Sequence, residues 1–270
     1  MKREHLFNDY ICPSFNNLLD QALKNRSSRY LMLIADSEST IDYVEHFINV
    51  HQRKHHIKVR TIVGNYFSDD LLRGNTYSEH YNYRILMDII LYAETNITLI
   101  MRQMDHLYDK LYDLFNQNFA ISGRQKYCRI VLGARYYPRC LIHDNFYYIV
   151  FIHKRDEDKC DPPFLNRFEK HLIDIQTLIH PRHQLIYDEL YIWLNKFLPK
   201  NIGKNFPLFE HLFVDYSQDR IYFLIMEIFE QLNISIDDQK TDEIIKHCQT
   251  KLMRTSSLDL PLVLSLEPNW

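Results

Sequence analysis

The chain predicts an α/β core with a mainly parallel sheet, followed by a helical lobe. Three observations carry this. Apolar runs of strand length alternate with segments of helical period from Pro13 to Phe119, which is the pattern of β-α-β units. The pattern then changes to short strands around turns between Cys128 and His153. From Arg182 onward the periodic segments are all helical. The boundary falls near Pro181, giving a core over residues 1–180 and a helical lobe over 181–270.

The elements follow in order. PSFNNLLDQALK (Pro13–Lys24) spaces Phe15, Leu18, Leu19 and Leu23 as one helix face, and Pro13 suits a helix start. RYLMLIAD predicts a buried strand over Tyr30–Ala35, closed by Asp36 and Ser37. STIDYVEHFINVHQ has a helical period, and IKVRTIVG (Ile57–Gly64) is a second strand ended by glycine. YNYRILMDIILYAE (Tyr81–Glu94) is an amphipathic helix and NITLIM (Asn96–Met101) a third, apolar strand. DHLYDKLYDLFNQNF (Asp105–Phe119) reads as a helix with Leu107, Leu111 and Leu114 on one face. CRIVLG (Cys128–Gly133) and RCLIH (Arg139–His143) are short strands about Pro138. DNFYYIVFIH (Asp144–His153) is a long apolar strand after a tight HDN turn. HQLIYDELYIWLNKFL, QDRIYFLIMEIFEQL and DEIIKHCQTKLM supply the helices of the lobe. The last residues, LPLVLSLEPNW, do not read as a finished terminus, so the chain is expected to be a piece of a longer one.

Charge and cysteine content exclude several classes. The net charge is −3 with neutral histidines, which gives no global attraction to nucleic acid or anionic membrane. The cysteines Cys12, Cys128, Cys140, Cys160 and Cys248 include no CxxC pair, which argues against a zinc site or a disulfide framework. No stretch of ~18 apolar residues is available to cross a membrane. MKREHLFNDYICPSF lacks the apolar run of a signal peptide. A reduced, cytoplasmic setting is expected.

No phosphate-cradling loop is legible. Such a loop needs glycines for close backbone approach, then Lys-Ser or Lys-Thr. The glycines lie at 64, 74, 123, 133 and 203; Gly203–Lys204 is followed by Asn205, between predicted helices. In P-loop enzymes an apolar strand ends in carboxylates that hold magnesium. Here NITLIM ends in Arg102 and Gln103, and Asp105 is the first carboxylate. Asp105 is either a displaced acid or a helix-start residue beside the helix dipole. His153, at a strand end, either senses a bound phosphate or lies in a surface loop. HQRKHHIKVR (His51–Arg60) is basic, but the adjacent His55 and His56 diverge, and no metal site is expected.

DPPFLNRFEKHLID (Asp161–Asp174) is the remaining candidate. Pro162 and Pro163 fix a helix start, Phe164, Leu165 and Phe168 anchor it, and Asn166 and Arg167 fall on another face. On spacing, Arg167 is either an exposed helix residue or a guanidinium offered to a neighbour's phosphate.

A strand, a charged loop and then P-x-F-L-N-R-F-E resembles the region after the sensor strand of AAA+ ATPases, where the N-R arginine serves as a trans-acting finger. Four ordered blocks narrow this: RYLMLIADSEST, ITLIMRQMDHLYDKLYDLFNQNF, QKYCRIVLGARYYPRCLIHDNFYYIVF and DPPFLNRFEKHLID. Together they resemble the mysterin family, giant proteins that join a string of AAA+ units to a ubiquitin-ligase module. The likeness runs from Tyr30 to Asp174 and continues more weakly to near Leu264. It implies an AAA+-like parallel-sheet core with a C-terminal α-helical lid. For the family as a whole it implies ATP and magnesium, ubiquitin machinery, neighbouring AAA+ units as partners, and work at lipid droplets. The missing phosphate loop and acidic pair point to a unit that binds no cofactor of its own and does not hydrolyse ATP. Arg167 would then act on a neighbour, with Asn166 and Glu169 in support. Two alternatives stay open. One is a hydrolysing unit whose phosphate loop lies upstream of Met1, and the other is an unrelated, free-standing interaction domain.

Overall fold

The computed structural model describes residues 15–24, 30–64, 75–132, 136–175, 178–197, 209–214, 216–234, 238 and 240–257. Pro13, the Gly203–Lys204 pair and LPLVLSLEPNW lie outside them. The chain divides into two compact units between Asp174 and Ile175.

In the first unit α1 (Phe15–Lys24) precedes β1 (Leu31–Ala35), α2 (Glu38–Lys54), β2 (Lys58–Val63), α3 (Asn75–Ala93) and β3 (Ile97–Arg102). Strands β4 (Ala120–Ser122), β5 (Gln125–Arg129), β6 (Arg139–Ile142) and β7 (Tyr147–His153) follow. The unit closes with β8 (Glu169–Ile173). Five strands form a sheet in the order β2-β3-β7-β1-β8, and all their pairings are parallel. The middle strands β1, β3 and β7 are buried along almost their whole length. A parallel strand covered on both faces needs such an unbroken apolar run. The edge strand β2 is mostly exposed, and its KVRTIV carries the charge that suits an edge.

Three expectations are corrected. Asp105–Phe119 is not one α-helix: a 3₁₀ helix over Asp105–Leu111 passes into a single α-turn, α4 (Tyr112–Phe115). Three-residue winding aligns Tyr108 and Leu111 on one line, and both are buried, as is Leu114 in the α-turn that follows. The strand expected from Cys128 starts earlier and ends at Arg129: it is Gln125–Arg129, paired antiparallel with β4 and β6 in a separate three-stranded sheet, and Gly133 lies outside the described residues. Gly123, at φ +64°, makes the β4–β5 turn. The third correction concerns DPPFLNRFEKHLID. Pro162 and Pro163 do open a helix, α6 (Pro162–Leu165), but it lasts one turn and Asn166 caps it. Glu169–Ile173 is then a strand pairing with β1. The free edge of β1 outweighs the helical spacing: the Glu169 N–H donates to the Tyr30 carbonyl at 2.8 Å. Between β7 and α6 lies the one-turn α5 (Lys154–Glu157).

The second unit is helical: α7 (Pro181–Leu194), α8 (Phe209–Leu212), α9 (Gln218–Gln231) and α10 (Thr241–Arg254). Ile186, Leu190, Ile225, Ile228, Ile244 and Cys248 form its core. Tyr187 stacks on Tyr222 at 4.4 Å, and the Tyr222 hydroxyl donates to Gln184 at 2.6 Å. Buried His183 accepts from the His180 N–H through Nδ1 and packs edge-on to Phe229. Burial, with the His180 and Arg182 charges, lowers its pKa to about 4. Because the folded value lies below the ordinary ~6.5, the stabilisation is present above pH ~6.5 and is lost as pH falls through 4. Urea midpoints taken from pH 7 to pH 4 should fall for the parent chain, and His183→Gln should remove part of that slope.

Candidate functional site

In an open parallel sheet, ligands bind beyond the carboxyl ends of the strands, where the connections diverge. Here β1 leads through α2 toward β2 on one side, while β7 leads through α6 to β8 on the other. The crevice therefore lies above the ends of β1 and β7. Only Asp36 and Ser37 separate β1 from α2. Ser37 is spent as the N-cap, accepting the Thr40 N–H at 3.2 Å. Asp36 pairs across the crevice with Lys154, at 3.2 Å.

The helix that starts there carries acids. Glu38, Asp42 and Glu45 stand four and three residues apart, on one face. All three bind Arg102 at the end of β3, at 2.5, 2.7 and 3.0 Å respectively. Gln103 adds a hydrogen bond to Glu38 at 3.0 Å. Partial burial works against the Arg102 charge, but the hydrogen bonds it donates to Asp42, Glu38 and Glu45 raise its pKa overall. Gly64 closes the far side. A Cβ there would lie 2.5 Å from the Gln103 carbonyl, so only glycine fits beside β3. The remaining cleft, about 270 Å³, is lined by Glu38, Arg102, Asp105 and His153 among others.

His153 and Asp105 are thus brought into one cleft. His153 ends β7 and caps α5, its Nδ1 accepting the Arg155 N–H at 3.3 Å. Asp105 opens the 3₁₀ helix. Loss of solvent around its carboxyl, and then the Asp156 charge, push its pKa up. Arg167 is elsewhere, half-buried on a second cleft, with its guanidinium 4.1 Å from the Tyr112 ring centre. Its neighbours in sequence fix its place. Phe164 and Phe168 are buried against Phe115 at 5.6 and 5.4 Å, and Phe164 stacks on Tyr108 at 4.4 Å. Asn166 is exposed at the C-cap of α6, and Glu169 lies on β8, where it accepts from His171 Nε2 at 2.9 Å. Among the described residues no group of three His, Cys, Asp or Glu side chains is placed to hold a metal ion. No described helix is long and apolar enough to cross a membrane.

Sequence reasoning missed the Arg102 cluster. The signal available was the Glu38, Asp42, Glu45 spacing together with an arginine closing an apolar strand.

A five-stranded parallel sheet with a crevice at its switch point, and helices at the carboxyl end of the chain, define an AAA-type α/β core. Residues 20–179 match the family model described as RNF213 AAA domain, and the chain belongs to that family. It is similar to the E3 ubiquitin-protein ligase RNF213 of Homo sapiens, 31% identical over 145 residues, which is 51% of this chain and 3% of that protein. The RNF213 of Mus musculus is 26% identical over 171 residues, 60% of this chain and 3% of that protein. The rnf213-beta ligase of Danio rerio is 26% identical over 189 residues, 68% of this chain and 4% of that protein. The chain therefore spans a few hundredths of the length of these relatives.

Proposed function

We propose that this chain is a non-hydrolysing AAA-type module of an RNF213-type ubiquitin ligase. It serves as a structural and interaction element among similar units in the cytoplasm, and reaches the ubiquitin machinery through the larger protein. The observation that carries this is the ion cluster of Arg102 with Glu38, Asp42 and Glu45. A nucleotide's phosphates require a cradle of backbone N–H groups and a lysine at the helix start. The connection after β1 offers two residues and then a carboxylate, which repels phosphate. Magnesium requires a carboxylate at the end of a nearby strand, and β3, next but one to β1 in the sheet, presents a guanidinium instead. The charges are reversed on both sides of the crevice, so the residues present do not fit ATP with magnesium. This also speaks against a hydrolysing unit with an upstream loop, because β1 already occupies the place that such a loop would follow.

Isothermal titration of the chain with ATP and Mg²⁺ is expected to show no binding tighter than millimolar. Micromolar affinity would overturn the reading. Arg167, on the cleft beside β8, serves the nucleotide of an adjoining unit. Arg167→Ala in the complete protein should slow hydrolysis at that unit by about 10³-fold, the scale of a lost arginine finger. Unchanged turnover would leave Arg167 as a residue that packs on Tyr112.

A further inference from the structure

The outer edge of β2 is open. Along a strand in a parallel ladder, successive residues turn their N–H and C=O groups to alternate sides. The Gly64 N–H donates to the Arg102 carbonyl at 2.9 Å, which sets the phase. Lys58, Arg60 and Ile62 turn their backbone groups to β3, and Val59, Thr61 and Val63 turn theirs outward. The Tyr81 hydroxyl agrees with this phase, because it donates to the outward Val63 carbonyl at 3.2 Å. Among the described residues, the outward backbone groups of Val59 and Thr61 have no such partner. They form a short row of free donors and acceptors, the template for one more strand.

The same edge carries one sign of charge. A groove of about 470 Å³ lies beside it, lined by Arg53 of α2, by His56 just past that helix, and by Lys58, Val59 and Arg60 of β2. No carboxylate lines this groove. Arg53, Lys58 and Arg60 are exposed and, among the described residues, make no ion pair. Alternate side chains of a strand face opposite sides of its sheet. The Thr61 hydroxyl donates to Glu45 of α2 at 2.6 Å, so Val59 and Thr61 face α2 while Lys58 and Arg60 stand together on the other side. Glu45 itself is held by Arg102.

We infer that the β2 edge accepts an extended acidic segment of another polypeptide as a sixth strand of the sheet. The open backbone supplies the hydrogen bonds, and the side chains beside it supply the choice of partner. Carboxylates at alternate positions of the incoming strand fall beside Lys58 and Arg60, and the apolar residues between them lie along Val59. A second copy of β2 is disfavoured, because Lys58 and Arg60 would meet like charge. The charge that guards this edge against its own copies therefore admits a strand of opposite sign. A nucleic acid would meet the cations but could not continue the ladder from Val59 and Thr61. The inference rests on the sheet edge alone and stands whether or not the crevice takes nucleotide.

The test titrates the full chain with a fluorescein-labelled heptapeptide in which glutamate alternates with valine. Three probes accompany it: the glutamine counterpart, the acidic peptide N-methylated along its length, and oligothymidylate. The acidic peptide should bind about tenfold more tightly than the glutamine peptide, through charge-assisted contacts. N-methylation keeps the charge but removes the N–H donors, and should weaken binding by a similar factor. Joint Lys58→Gln and Arg60→Gln, both at exposed positions, should weaken the acidic peptide about tenfold while the melting temperature holds. On binding, the Val59 and Thr61 amides should gain protection from hydrogen exchange, while those of Arg60 and Ile62, already turned to β3, stay unchanged. No binding of the acidic peptide, equal binding of the glutamine or N-methylated peptide, oligothymidylate as tight as the acidic peptide, indifference to the paired changes, or protection that does not alternate along β2 would each overturn the inference.

Discussion

Phe168→Ala is expected to destabilise the α/β core by about 3–5 kcal/mol, the usual cost of deleting a buried aromatic side chain. Phe168 is 3% exposed and sits 5.1 Å from Phe164, 5.4 Å from Phe115 and 6.2 Å from Tyr148, ring to ring. These rings share one cluster with Tyr30, which stacks on Tyr148 at 3.7 Å. Tyr148 is tied further by its hydroxyl, which donates to the Leu114 carbonyl at 3.2 Å. Removing Phe168 therefore leaves a cavity where the turn carrying Arg167 meets the sheet. For a unit of this size the melting temperature should drop by roughly 10 °C. Leu172→Ala is the control: Leu172 is 57% exposed on β8, just after Phe168, and should change stability by less than ~0.5 kcal/mol. Hydrogen exchange of the Arg167 and Glu169 amides should also rise in Phe168→Ala. An unchanged melting temperature would show that the aromatic cluster does not hold the turn.

Arg102→Ala should cost about 2–3 kcal/mol. The side chain is 14% exposed and meets three carboxylates, and charged hydrogen bonds are worth ~1.5–3 kcal/mol each where solvent is excluded. The sum is discounted, because Glu38 and Asp42 are about half exposed and water screens them. Glu45, at 19% exposure, carries most of the effect. The loss also leaves Glu38, Asp42 and Glu45 repelling one another along one face of α2. Glu45→Gln made in the Arg102→Ala background should therefore recover part of the stability. Glu45→Gln alone should destabilise, giving a coupling well above ~0.5 kcal/mol in a double-mutant cycle. Additive effects would mean that the cluster does not act as a unit, and the structural reading of the crevice would lose its support.

The legible parts of the fold were those with a one-dimensional signal. LMLIA, ITLIM and YYIVFI are unbroken apolar runs because β1, β3 and β7 are covered on both faces. The helices α2, α9 and α10 were equally plain from their period, with N-caps at Ser37 and Ser217 for the first two. The stretch after Arg167 was not plain. EKHLI has one exposed apolar residue, Leu172, and one buried, Ile173, which suits a strand or a helix alike. Its identity comes from the edge of β1, more than 130 residues earlier. The same holds for Asp105–Phe119, whose leucine spacing fits α and 3₁₀ winding nearly as well until Tyr108 and Phe115 have to pack against Phe164.

By itself the sequence determined the class of fold, the family likeness and the want of a phosphate loop. Each is read along the chain without knowing which residues meet: alternating apolar runs, four ordered blocks, five scattered glycines. Only the tertiary structure decided what fills the place of that loop and where Arg167 points. Arg102 lies 57 to 64 residues from the carboxylates it binds, and Tyr112 lies 55 residues before the guanidinium it carries. Charge pairing and ring stacking act over ångströms in space, and no spacing in a one-dimensional pattern records which distant residues the sheet will bring together.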